Sequence, residues 1–113
     1  IVLAAVQQNG MALVWATEPL RADRNVVLAA VTQDGFALEL ASDALKNDRE
    51  IVLTAVRQDC LALGSASEAL RADAEIVVTA VRQRSLALRY ASPKLHASKE
   101  FRHLISHGIH ENR

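Results

Sequence analysis

The sequence repeats itself every 25 residues. Stretches beginning at Ile1, Val26, Ile51 and Ile76 align without a gap. A period of this length constrains the fold more than any motif, because each unit must bury its apolar surface against its neighbours. Eight positions are identical in all four copies; in the third they are Val52, Ala55, Val56, Gln58, Ala62, Leu63, Ala66 and Leu70. Seven of the eight are apolar, which is the pattern of a shared core and not of a reaction centre. The expected fold is therefore all-α. It is an α-solenoid of four units, 1–25, 26–50, 51–75 and 76–100, with a C-terminal cap at 101–113. The chain opens at Ile1 without a lead-in to its first helix, so we expect a piece of a longer protein or a mature chain whose start was removed.

Within a unit the helix signals are local. Asp23, Asp48, Asp73 and Ser98 stand where an N-cap is wanted, and Glu50, Glu75 and Glu100 follow near the positive end of the helix dipole. The apolar run Ile51-Val52-Leu53, then Ala55-Val56, wraps more than half of that helix, as expected for an interior row. Asn9-Gly10 and Asp34-Gly35 match a left-handed C-terminal turn. Cys60 and Ser85 replace the glycine in the last two copies, which predicts a looser turn there. A second, shorter helix is expected over Phe36 to Ala41 and its equivalents. A single turn after Thr17, Ser42, Ser67 and Ser92 then carries Leu20, Leu45, Leu70 and Leu95 inward. Pro19 and Pro93 fit a first turn and not a helix interior. Ser98 to His107 reads as a capping helix with a polar outer side, and His110 to Arg113 as frayed.

The string LKNDREIVLTAVRQDCLAL (45–63), followed by ASEALRAD (66–73), resembles the helical repeats of domain-of-unknown-function family 4116. The resemblance runs from Ile1 to about Glu100. It implies tandem short α-helical repeats of a kind found in protists, abundantly in photosynthetic ones, and in some bacteria. It implies no activity, cofactor or site residue.

Composition limits the functions open to such a chain. Half the residues are apolar, so it is not a disordered polypeptide. The net charge is zero, giving no general attraction to nucleic acid or an anionic membrane. The lone Cys60 can form no intrachain disulfide. Apolar runs such as Ile1 to Val6 fall far short of the roughly 20 residues a membrane span needs. No signal peptide, phosphate loop or catalytic spacing is visible, and no cofactor or metal is expected.

The remaining candidates are weighed against plainer roles. The Gln at 8, 33, 58 and 83 can form a ladder on a binding face, but bonding the backbone at each interhelical turn is the expected role. His103, His107 and His110 have a spacing that can hold a metal on a continuous helix. Gly108 interrupts it, so no metal site is assigned. Cys60 lacks a nearby base and reads as a small turn residue.

Charge is uneven along the chain. Unit 26–50 has five acidic residues against two basic, while unit 76–100 has five basic against one acidic. Arg82, Arg84, Arg89 and Tyr90 form a candidate patch for an acidic protein surface. Positions that vary between copies mark a recognition face: Gln7/Thr32/Arg57/Arg82, Val14/Glu39/Gly64/Arg89 and Trp15/Leu40/Ser65/Tyr90. Trp15 joins Tyr90 as an interface anchor, with gap-filling beside Leu20 as its plainer role.

The expected function is a non-enzymatic scaffold or adaptor binding one or more proteins. The resemblance, through the family's abundance in photosynthetic protists, implies the alternative of a peripheral subunit of a photosystem or respiratory complex, which would place an intracellular chain in a chloroplast or mitochondrion. RNA binding is a second alternative, disfavoured by the acidic middle units.

Overall fold

The computed structural model describes residues 16–103 together with Asn9 and Val14. Among them every regular element is helical and no strand occurs. Three long helices start 25 residues apart: α2 (Arg24–Gln33), α4 (Arg49–Gln58) and α6 (Ala74–Gln83). One-turn helices precede or follow them: α1 (Glu18–Arg21), α3 (Asp43–Lys46), α5 (Glu68–Arg71) and α7 (Pro93–His96). Between each long helix and the next single turn lies a six-residue 3-10 segment, Gly35–Leu40, Cys60–Ser65 or Ser85–Tyr90.

The starts are set by side chains. Asp23, Asp48 and Asp73 each accept from the two amides of the first turn that have no helical partner, such as Glu50 and Ile51 for Asp48. Ser98 does the same for Phe101, and residues 99–103 are helical. The rest of the expected capping helix lies outside the described residues.

The invariant rows form the core. Val27, Val52 and Val77, Ala30, Ala55 and Ala80, and Ala37, Ala62 and Ala87 are fully buried. α4 packs between α2 and α6, with the 3-10 segments stacked alongside in a second row. Alanine at 30, 55 and 80 lets neighbouring helices approach closely. Burying a side chain such as Ile51 contributes roughly 2–3 kcal/mol at that packing. Neighbouring units are also tied through the backbone. The Ser42 N–H donates to the Arg21 carbonyl at 3.1 Å, Ser67 to Lys46 at 2.9 Å and Ser92 to Arg71 at 2.9 Å.

Three local expectations are corrected. The second helix is of the 3-10 type, six residues bounded by extended Asp34, Asp59 or Arg84 before it and extended Ala41, Ala66 or Ala91 after it. Ser67 and Ser92 cap the following turn through their hydroxyls, whereas Thr17 and Ser42 make no such bond. Most clearly, the turn after the long helix is not left-handed. No described residue has positive φ, and Asp34, Asp59 and Arg84 share an extended geometry, with φ −151° in each and ψ 112°, 111° and 122°. The turns carrying Cys60 and Ser85 are thus no looser than the one carrying Gly35; Gly10 lies outside the described residues. Glycine at 35 answers to space. A Cβ there would fall 2.5 Å from the Ala55 carbonyl oxygen and 3.1 Å from the Asp59 amide nitrogen.

Candidate functional site

The polar surface divides into two edges, each generated by the period. One runs along the N-terminal ends of the long helices. The Arg24 guanidinium reaches one unit forward, donating through Nε to the Asp48 carboxylate at 2.8 Å and pairing with Glu50. Arg49 repeats this with Asp73 at 3.0 Å and with Glu75. Partners are 24 and 26 residues away, so one period brings each arginine between an N-cap and the acid two residues beyond it. The Arg24 hydrogen bond, helped by the Ile51 and Glu50 amides, holds the Asp48 carboxyl below its usual range despite partial burial. At Asp73 burial is the largest influence and pushes upward. The Arg49 guanidinium and the Ile76 and Glu75 amides together outweigh it, so this carboxyl too is lowered. The row ends where Ala74 replaces the arginine and Ser98 the aspartate.

The other edge is built by the 3-10 segments. Three residues per turn superimposes side chains i and i+3. Phe36 therefore shares a face with Glu39, Leu61 with Gly64, and Leu86 with Arg89. Among the described residues, the large apolar side chains left exposed are Val14, Phe36 and Leu86, at 45%, 43% and 47%. All three occupy these two positions of the unit, Val14 being the first-unit counterpart of Glu39. Asp34 and Asp59 fix the start of this face by accepting from the Phe36 and Leu61 amides at 3.0 and 2.9 Å. Arg84 caps nothing through its side chain.

Of the residues singled out in the sequence, the structure brings Arg89 and Tyr90 together. The Arg89 guanidinium lies 5.9 Å from the centre of the Tyr90 ring. That ring rests on the preceding unit. A Cβ on Gly64 would lie 3.0 Å from two of its carbons, so Tyr90 fills the space that Gly64 leaves. It is a partly buried packing residue more than a free anchor. Arg82 and Arg84 are exposed on the junction between α6 and the last 3-10 segment, without an ion pair among the described residues. Trp15 lies outside the described residues.

Other candidates fall elsewhere. Gln83 Nε2 donates to the Val56 carbonyl at 3.0 Å, so the glutamine amide does bond backbone here, but across to the previous unit and not within its own turn. Cys60 is buried, and burial pushes its thiol up, away from the reactive thiolate. His107 and His110 lie outside the described residues, which contain no cluster of metal-binding side chains. An open depression on α2, lined by Asn25, Leu28, Ala29, Thr32 and Gln33, has no titratable side chain. No helix among the described residues is long and apolar enough to cross a membrane.

Sequence reasoning missed two things. The arginine row was legible in principle, since Arg24 and Arg49 precede acidic pairs by one period. The exposure of Phe36 and Leu86 was not, because an apolar residue beside buried Ala37 and Leu38 reads as core.

The profile of the family described as domain of unknown function DUF4116 matches residues 1–46 and 48–102. No curated protein and no solved structure matches the chain. The long helices, their aspartate caps and the turn chemistry all fall within the matched stretches, and the chain belongs to the DUF4116 family.

Proposed function

We propose that the chain is an α-solenoid of four 25-residue units with a C-terminal cap, and that it serves as a non-enzymatic scaffold that binds protein. The recognition surface is the exposed face of the 3-10 segments, extended by Arg82, Arg84 and Arg89 of the last unit. The supporting observation is the confinement of the exposed Val14, Phe36 and Leu86 to that one face. Aligned apolar side chains left in water on a fixed framework mark an interaction surface. The adjoining guanidiniums suit an acidic rim on the partner. A variant combining Phe36→Ser, Leu86→Ser and Arg89→Ser tests the reading. It should keep its helical circular dichroism and lose the protein that the unaltered chain captures from its native source. Undiminished capture by the folded variant overturns the assignment of the face.

A further inference from the structure

The charges on the 3-10 face are graded. At the position that shares a face with the apolar residue, unit two has Glu39, unit three Gly64 and unit four Arg89. All three positions are exposed, and neither Glu39 nor Arg89 is in an ion pair among the described residues. The apolar partner is Phe36, Leu61 or Leu86, of which Phe36 and Leu86 are exposed and Leu61 is partly buried against the core. Over units two to four the series runs negative, neutral, positive at even spacing, and that part of the face is its own complement when reversed, with Val14 of unit one outside the overlap. Laid antiparallel on a second copy, Glu39 meets Arg89, Phe36 meets Leu86, and Leu61 with Gly64 meets itself on the axis. This is the self-complementarity that a two-fold, isologous interface requires.

At the two ends of the strip the unit charges agree with this, whereas unit 51–75, with four acidic residues against two basic, adds no attraction to its own copy. The acidic unit 26–50 would lie against the basic unit 76–100 of the other chain, and the reverse. RNA would be repelled by Glu39 and the acidic unit at one end of the strip, and a uniformly acidic partner equally so. We infer that the occupant of this face is a second copy of the chain, bound antiparallel about the third unit. The inference rests on the reading of the 3-10 face as a protein-binding surface.

Charge exchange tests it without disturbing the core, since Glu39 and Arg89 are both exposed. The 1–113 chain should sediment and scatter light as a dimer at high concentration and dissociate on dilution or in added salt. Glu39→Arg alone places like charges opposite each other twice, as does Arg89→Glu alone. Each should weaken dimerisation about tenfold or more. Mixing the two single variants should restore a dimer, because every contact is then of opposite sign. A chain carrying both changes should dimerise alone. A chain that is monomeric at every concentration overturns the inference, and so does a dimer indifferent to both single changes. A monomer whose capture of another protein still depends on Phe36 and Leu86 would sink only the self-pairing and leave the binding face standing.

Discussion

The two edges begin with similar material and use it in opposite ways. Along the helix N-termini, Arg24 and Arg49 find carboxylates one unit ahead, and the charge is used up inside the molecule. Along the 3-10 face, Glu39 and Arg89 have no such counterpart and stand beside exposed Phe36 and Leu86. The difference is one of register. An arginine separated by 24 and 26 residues from two acids is matched by a 25-residue period, which sets it between them. Glu39 and Arg89 stand two units apart with Gly64 between them, so neither has an opposite charge at the same position of the next unit. In a repeat protein, charge that agrees with the period holds the framework, and charge that breaks it is left for something outside.

The sharpest test of this division compares two leucines of the 3-10 row. Leu63 is fully buried, and Leu63→Ala should destabilise the chain by about 2–5 kcal/mol in thermal or denaturant unfolding. Leu86→Ala removes the same atoms from an exposed site and should stay within about 0.5 kcal/mol. Equal costs would mean that the exposed face is structural after all.

The next effect separates the edges by their aspartates. Asp48 caps two amides and holds Arg24, so Asp48→Ala should cost about 1 kcal/mol or more. Asp59 caps a single amide, and Asp59→Ala should cost less. The laddered edge also titrates. The folded-state carboxyls of Asp48 and Asp73 lie below the usual value of 3.8. Their contribution is therefore complete above that pH and drains away as the pH falls through it to the lowered folded values. Melting temperature should drop across that acid window, and Asp48→Ala should blunt the drop.

The smallest expected change sharpens the register argument. Ala74→Arg would place a guanidinium 26 residues before Glu100, the offset used by Arg24 and Arg49. It should raise the melting temperature slightly at low salt and not at high salt. No gain at low salt would show that Glu100 is out of reach.

The long helices were legible in the sequence because several signals agree there. An aspartate cap and a Val-Ala-Val core row recur at one spacing, joined in α4 and α6 by a glutamate in the first turn, and the structure places the helices accordingly. The turns were misread because Asp-Gly satisfies two rules at once. Asp34 and Gly35 fit a left-handed stop, yet the aspartate starts the 3-10 segment and the glycine yields space to the Ala55 carbonyl. Only the neighbouring unit decides between these, and a pattern confined to one unit does not contain it. The exposed face proposed for binding was half legible. Variation at 14/39/64/89 pointed to it, while the apolar position beside it looked like part of the core. At Tyr90 the sequence does not show that the ring packs on Gly64 of the preceding unit, because that contact lies between units.

The Ser42, Ser67 and Ser92 rungs span 21 residues each, the arginine pairs 24 and 26, and the Gln83 bond to the Val56 carbonyl 27. Chain closure between units is thus always short, whatever the total length. Entropy lost in closing such loops grows slowly with their size, and here the size never changes. In the proposed solenoid, folding should therefore begin at any unit and spread to either side, with a speed set by one neighbour contact and not by the number of units.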